Sequence, residues 1–398
     1  MIKYASIIPL IGGETIAMEN VFGKRPEYIL SFPGFENHDK QLIEHYKNEV
    51  PYMVIRPGNI NDSYSAVDIV NTVCPCAGLS SLSPSASSTN TSNDWMSTTA
   101  NFVLGKLSPK VFWGENAPRL ASKMGEPVVK NLRKIAEQYG YTFSLYKTKS
   151  ILHGLSQVRD RSFYFFWKGD TIPVFDYFYR PHENIEDTIR NAFISIDDPM
   201  HVVTNSKKPT DNPFYKYVLQ EMEGGITHQD FVAKIEKTTN PLDYIEAAGI
   251  TYDTVSKWMT LNGYSREAAK CDRMSKKLKD GGNIMRKNTE IPKGSIGAFV
   301  GHLPTSLAHP DEDRYITIRE ALAIMRMPND FILQGGLKNL NMVCQNVPVT
   351  TAIDIASQIK KYLEGSLDTV IAPYGVQCNK TRTKYFEQSS VQLDQFMI

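Results

Sequence analysis

The feature that most narrows the fold is an alternation running through the first 170 residues. The runs "YASIIPL", "EYILSF", "PYMVIR", "AVDIVNTVC", "KVFWGE", "TFSLYK" and "SFYFFW" are of strand length, while "HDKQLIEHYKNEV" and "PVVKNLRKIAEQYG" space their apolar residues as helices do. Strands alternating with helices predict a parallel sheet covered by helices, an α/β fold. Ligands of such sheets sit outside the carboxyl ends of the strands. Gly12-Gly13 after the first run and Pro75-Cys76 after the fourth fall there.

At 398 residues the chain has room for two or three domains. Its 44 basic and 43 acidic residues nearly cancel, so attraction to nucleic acid must come from a local patch. No stretch approaches the roughly 18 consecutive apolar residues of a membrane span. "MIKYASIIPLIGGE" lacks the features of a signal peptide, so the expectation is a cytoplasmic protein with no membrane partner. Five cysteines in a long chain suggest reduced thiols rather than a disulfide framework.

The stretch "NTVCPCAGLSSLS" poses the chemical question. Cys74 and Cys76 flank one proline, no second pair follows, and no histidine stands at ligand spacing, which argues against a metal. A redox pair normally has two intervening residues. Two small buried cysteines at a strand end, or a nucleophile, remain open from these residues alone.

Four further segments carry a resemblance. "PCAGLS", "PKVFWGENAPRL", "GLSQVRDRSFYFFW" and "DRYITIREALAIMRMPNDF" resemble, in order, motifs of the DNA (cytosine-5) methyltransferase family. The resemblance implies Cys76 as nucleophile with Ser80 in its motif. Glu115 and Asn116 match a Glu-Asn pair, although Ala117 stands where the family usually has Val. Gln157, Arg159 and Arg161 match a Gln-x-Arg-x-Arg motif, and Arg319, Glu320, Pro328 and Asp330 a late helix motif.

The implied activity is methyl transfer from S-adenosylmethionine to carbon 5 of cytosine in duplex DNA. A thiolate at Cys76 adds to carbon 6 and makes carbon 5 nucleophilic. Glu115 would hydrogen-bond or protonate N3, and Arg161 would hold O2 and orient Glu115. Chemistry on a stacked base requires the nucleotide to be swung out, and "SSLSPSASSTNTSNDW" reads as a loop that closes over it.

On the cofactor side the chain departs from the family. Ile8 stands at an aromatic position and Leu10 at the first glycine, while Gly12 and Gly13 remain. Glu36 or Asn37 falls where an acid meets the ribose, Asn59 where an acid meets the adenine amine, and Gln345 or Asn346 replaces a late Gly-Asn motif. Pro75 completes the implied cofactor set. Weak binding and a modified cofactor both remain compatible with these changes.

The expected architecture is a Rossmann-like S-adenosylmethionine-dependent methyltransferase sheet, residues 1–168 completed by 312–365. A smaller target-recognition domain is inserted at 169–311, and a tail follows over 366–398. Between Lys257 and Lys293 ten basic residues face four acidic ones, giving the local patch. Lys276, Lys277, Lys279 and Arg286, with Gln157, are the candidate DNA contacts. A solvated amphipathic helix accounts for the same lysines. A monomer is expected, and a restriction-modification, an orphan and a phage-encoded setting all stay open. The alternatives are a tRNA cytosine-5 methyltransferase and a catalytically silent DNA-binding or regulatory homologue.

Overall fold

The computed structural model describes residues 2–60, 62–75, 78–80, 86–284, 289–301 and 303–371. Two units are resolved: Met1–His182 with Met325–Met327 and Gln345–Ile398, and Glu183–Ile324 with Pro328–Cys344.

In the first unit the seven apolar runs become one seven-stranded sheet. The strands are β1 (Tyr4–Ile7), β2 (Ile29–Ser31), β3 (Tyr52–Val54), β4 (Ile69–Thr72), β5 (Val111–Asn116), β6 (Tyr141–Lys149) and β7 (Asp160–Lys168), in the order β3-β2-β1-β4-β5-β7-β6. Every residue of β1, β4 and β5 is buried, as expected of strands covered on both faces. One strand departs from the parallel expectation: β7 runs antiparallel to both β5 and β6. Only residues 150–159 join β6 to β7, too few for the crossover of a dozen or more residues that a parallel return needs.

Four helices belong to this alternation: α1 (Gly13–Phe22), α2 (Glu36–His45), α3 (Asp94–Phe102) and α4 (Glu126–Tyr139). The periodicity of α4 buries Val128, Val129, Leu132, Ile135 and Ala136, and the helix ends at Gly140 in the left-handed region, where a missing Cβ costs least. The later helix Val349–Leu363 packs against α1. On one sheet face Trp113 stacks on Phe165 and Phe165 on Trp167, with ring centroids 6.4 and 5.2 Å apart. Beyond 365, the strand Thr369–Ile371 pairs with Thr171–Pro173.

The second unit is mainly helical. Phe214, Tyr215, Phe231, Leu242, Ile245, Val255 and Met259 belong to its buried cluster. Its lysine-rich segment forms the helix Ser265–Lys279, which buries Ala268, Cys271 and Met274 and exposes Lys276, Lys277 and Lys279. Arg319 donates to both oxygens of Asp198 (2.6 and 3.0 Å), and Glu320 receives Arg314 in a two-pronged pair (2.8 and 2.9 Å). Cys74, Cys271 and Cys344 are buried and outside any disulfide among the described residues, and burial pushes the Cys271 thiol up to about 12.

The tightest join in the first unit is at the start of α1. A Cβ on Gly13 would lie 2.1 Å from the Val347 carbonyl oxygen and 2.6 Å from Asn346 Oδ1. Backbone cannot swing aside as a side-chain tip can. Gly13→Ala is therefore expected to destabilise the protein by about 3 kcal/mol, the upper end for overpacking, in urea unfolding. Unchanged stability would mean that this join is loose.

Candidate active site

The strand order reverses at β1, whose neighbours are β2 and β4, and the crevice at such a switch point lies outside the strands' carboxyl ends. The Gly12-Gly13 turn follows β1 there, and Pro75, partly exposed, follows β4. Cys76 lies outside the described residues.

The sheet then assembles the charged pair. Because β7 is antiparallel to β5, its first residues adjoin the last residues of β5, with Asn116 opposite Ser162. Glu115 and Arg161 thus meet as an ion pair, with Arg161 Nε against Glu115 Oε1. Burial pushes the Glu115 carboxyl above its ordinary range, while Arg161 and then Arg159 pull it down. Gly114 is needed just before, since a Cβ there would stand 2.6 Å from the Tyr164 hydroxyl and 2.7 Å from the Thr72 carbonyl.

Arg159 is 1 % exposed, and its Nη2 donates to the Asn346 carbonyl at 3.0 Å. The Asn346 Oδ1 in turn accepts the Gly13 N–H at 3.0 Å. β7, the 346 turn and the start of α1 are thereby tied in one chain. Asn116 is a turn former: its Oδ1 accepts the Ala117 N–H (2.8 Å) and its Nδ2 faces Met96 Sδ (3.4 Å). The Ser80 carbonyl accepts from Arg119 Nη1 at 3.4 Å.

The cofactor-side residues divide by what they already hold. Ile8 and Leu10 adopt φ of 49° and 52°, a region that bulky residues enter only under strain. Hydrogen bonds from Ile8 N–H to Leu30 O (3.0 Å) and from Val73 N–H to Ile8 O (3.1 Å) hold the first in place. Glu36 Oε2 accepts the Gly34 N–H (2.6 Å), and backbone N–H groups hold its carboxyl below the usual range. Asn37 and Gln345 are exposed. Asn59 accepts the Arg56 N–H (2.6 Å) and donates to Val54 O (2.9 Å), so both ends of its amide brace its own turn.

Of the DNA candidates, Gln157 is fully buried, with Nε2 3.4 Å from Met325 Sδ. Lys276, Lys277 and Lys279 belong to the second unit, where Lys279 reaches Asp253 at 2.9 Å, and Arg286 lies outside the described residues. Within the serine-rich stretch, Ser87 N–H bonds Gly78 O (2.9 Å), and Trp95 packs on Phe32 and Phe35 with centroids 5.4 and 5.0 Å away.

Sequence reasoning passed over Asp39 and Glu14. Asp39 is buried in the first turn of α2, accepts from the Tyr52 hydroxyl (3.1 Å), and is pushed up to about 7 by burial. Glu14 is fully buried directly after the glycine pair, and a carboxylate abutting an apolar strand end was the signal available.

The geometry agrees with comparisons to known proteins. The family model for C-5 cytosine-specific DNA methylase matches residues 2–361. An Escherichia coli prophage protein described as a DNA modification methyltransferase shares the fold at TM-score 0.57 and 14% identity, covering 92% of this chain and 100% of that one. The Entamoeba histolytica methyltransferase EhMeth aligns at TM-score 0.49 and 14% identity, over 92% of this chain and 98% of its own. A Methanocaldococcus jannaschii protein named as a type II methyltransferase is 41% identical over 56 residues, 14% of this chain and 18% of that relative's length. With its sheet, its strand-end acid and arginines, and a family match over nearly its whole length, the chain belongs to the C-5 cytosine-specific DNA methylase family.

Proposed function

We propose that the protein transfers a methyl group from S-adenosylmethionine to carbon 5 of cytosine in duplex DNA. The observation that carries this reading is the buried Glu115–Arg161 pair at the meeting ends of β5 and β7. Addition of the Cys76 thiolate to carbon 6 of a flipped-out cytosine drives electrons toward N3 and O2. Glu115, raised by burial, is suited to protonate N3, and Arg161 to hold Glu115 in line and face O2. The flanking arginine Arg159 keeps the strand end in place through Asn346.

A nucleoside cofactor is compatible with the groups at the carboxyl end of β2. Ser31 at the end of β2 and Asp39 in α2 are buried facing one another, and Glu36 is held as a carboxylate. When bound, S-adenosylmethionine supplies an electrophilic methyl group. By the resemblance Glu36 or Asn37 would receive ribose hydroxyls, and the Gly12-Gly13 turn and Asn59 would border the rest. The second unit is assigned to target recognition, with the lysines of helix Ser265–Lys279 on phosphates.

A catalytically silent DNA-binding homologue is the second reading. Asn59 and Asn346, at positions of implied cofactor contact, spend their side chains within the protein. Calorimetric titration with S-adenosylmethionine separates the two, since a silent homologue would take up no cofactor.

Nucleoside mass spectrometry on duplex DNA and tRNA incubated with the protein tests the activity, and 5-methylcytosine is expected in the DNA. With 5-fluorocytosine at the target, elimination is blocked, so a denaturation-resistant adduct should form and map to Cys76. Cys76→Ser should abolish the adduct while Cys74→Ser leaves it. An adduct on Cys74 would reverse the assignment.

If the lysines meet phosphates, replacing Lys276, Lys277 and Lys279 by Ala should weaken binding to all DNA sequences. The salt dependence should also flatten, its slope falling by about 0.9 for each phosphate no longer neutralised. An unaltered slope removes this face from the interface. Asn59→Ala loosens the turn bordering the adenine, so it should raise KM for S-adenosylmethionine more than it lowers kcat. Equal effects on both would place Asn59 elsewhere.

A further inference from the structure

Phosphate contacts fix where a protein sits on a duplex and carry no sequence information, so the lysines assigned above leave the reading of bases to other side chains. The second unit holds a rigid helical hairpin suited to that task. Helix Tyr252–Leu261 and helix Ser265–Lys279 are joined by Asn262-Gly263-Tyr264, with Gly263 at φ 79°. Trp258 stacks on Tyr264 (centroids 6.0 Å apart), Ser256 Oγ donates to Asp272 Oδ1 (2.7 Å), and Lys279 meets Asp253 at 2.9 Å. These pairs widen in sequence as they recede from the turn, so the second helix runs back along the first.

Ala268, Cys271, Met274 and Ser275 are the buried residues of the second helix. At about 100° per residue, the side directly opposite carries Arg266, Ala269, Arg273, Lys276 and Lys277, all exposed. Arg266 and Arg273 make no hydrogen bond or ion pair among the described residues, whereas Lys270, at the edge of this face, lies over the Phe214 ring at 5.1 Å. Acids do not cancel the stripe: Asp272 is turned to Ser256, Glu267 is half-buried, and Asp280 comes only after the last helical residue.

The order of the cations has a physical meaning. A guanidinium is a planar fork that fits O6 and N7 of guanine in the major groove, whereas an ammonium is a point charge suited to phosphate. The arginines come first, and the lysines close the helix. Seven residues separate Arg266 from Arg273, which is roughly 10 Å along the axis, or about three base-pair steps of roughly 3.4 Å. Between them Ala269 adds only a methyl group, which lets the helix backbone approach base edges. The major groove, about 12 Å wide, admits an α-helix.

We propose that helix Ser265–Lys279 enters the major groove of duplex DNA, with Arg266 and Arg273 as the residues that read guanines. This inference deepens the target-recognition reading above and rests on it. The helix Tyr252–Leu261 backs the reading helix from the side away from DNA, and Lys276 and Lys277 take flanking phosphates.

The test is binding of the full chain to a pool of duplexes with a randomised centre, followed by sequencing of the bound fraction. Wild type should select one sequence. Arg266→Ala and Arg273→Ala should each lose preference at one guanine, the two positions lying about three steps apart. Affinity for the selected duplex should fall about 10- to 100-fold, the loss expected of one two-pronged base contact. Arg266→Lys and Arg273→Lys keep the charge and lose the fork, so binding to unrelated duplexes should stay within about twofold while the preference is still lost. Methylation of N7 on the contacted guanine should weaken wild type and leave the matching Ala variant unaffected, which locates the contact in the major groove. Equal weakening on all sequences, unaltered preference, or a wild type that selects nothing overturns the proposal. Because selection is read by binding, the two readings fail separately. A wild type that methylates cytosine while the arginine variants keep full preference removes the groove helix alone. A wild type that selects a sequence through these arginines and forms no 5-methylcytosine removes the methyltransferase reading and leaves the groove helix standing.

Discussion

The reversed direction of β7 is the constraint on which the site depends. An antiparallel strand places its beginning beside its neighbour's end, so the arginines that open β7 come level with the acid that closes β5. Had β7 run parallel like the other neighbours of the central strands, Arg159 and Arg161 would sit at the opposite edge of the sheet, roughly 20 Å from Glu115 for strands of six residues. The turn of residues 150–159, too short to cross the sheet, therefore decides where the charge goes.

Burial then sets the character of that charge. A carboxyl at the end of a sheet covered on both faces loses its hydration, and one guanidinium in contact offsets only part of the cost. The same desolvation raises Glu14, Asp39 and the Cys74 thiol, and hydrogen bonds from neighbouring hydroxyls oppose the rise at Asp39 and Cys74. Just beyond β1 the backbone is held out of its usual regions at Ile8 and Leu10, and the start of α1 is clamped by Asn346. Such strain costs about 1–3 kcal/mol per residue and persists only where the surroundings over-determine it, here through the β1–β2 and β1–β4 pairings.

Much of this was legible in the residues. Seven apolar runs became seven strands because strands buried on both faces leave an unbroken apolar record, and α4 was readable from its periodicity and from Gly140. Glu115, Arg159 and Arg161 stood out through the resemblance of their segments to the family's motifs; local pattern alone reads them equally as a helix cap and a solvated strand face. The roles of Asn59, Asn346 and Gln157 were not legible. Whether an amide faces a ligand or its own backbone depends on turn geometry, and each of these amides is engaged within the protein.

By itself the sequence determined the alternation of strands and helices, hence the α/β class, together with the order of the motifs and the basic excess between 257 and 293. Those follow from local periodicity and composition, which the chain carries wherever it goes. The tertiary structure decided the reversal of β7, the pairing of Glu115 with Arg161, the tie from Arg159 through Asn346 to Gly13, and the burial of Glu14. Each joins residues tens or hundreds of positions apart, and strand order and desolvation, which set their distances and their charge, exist only once the sheet is assembled.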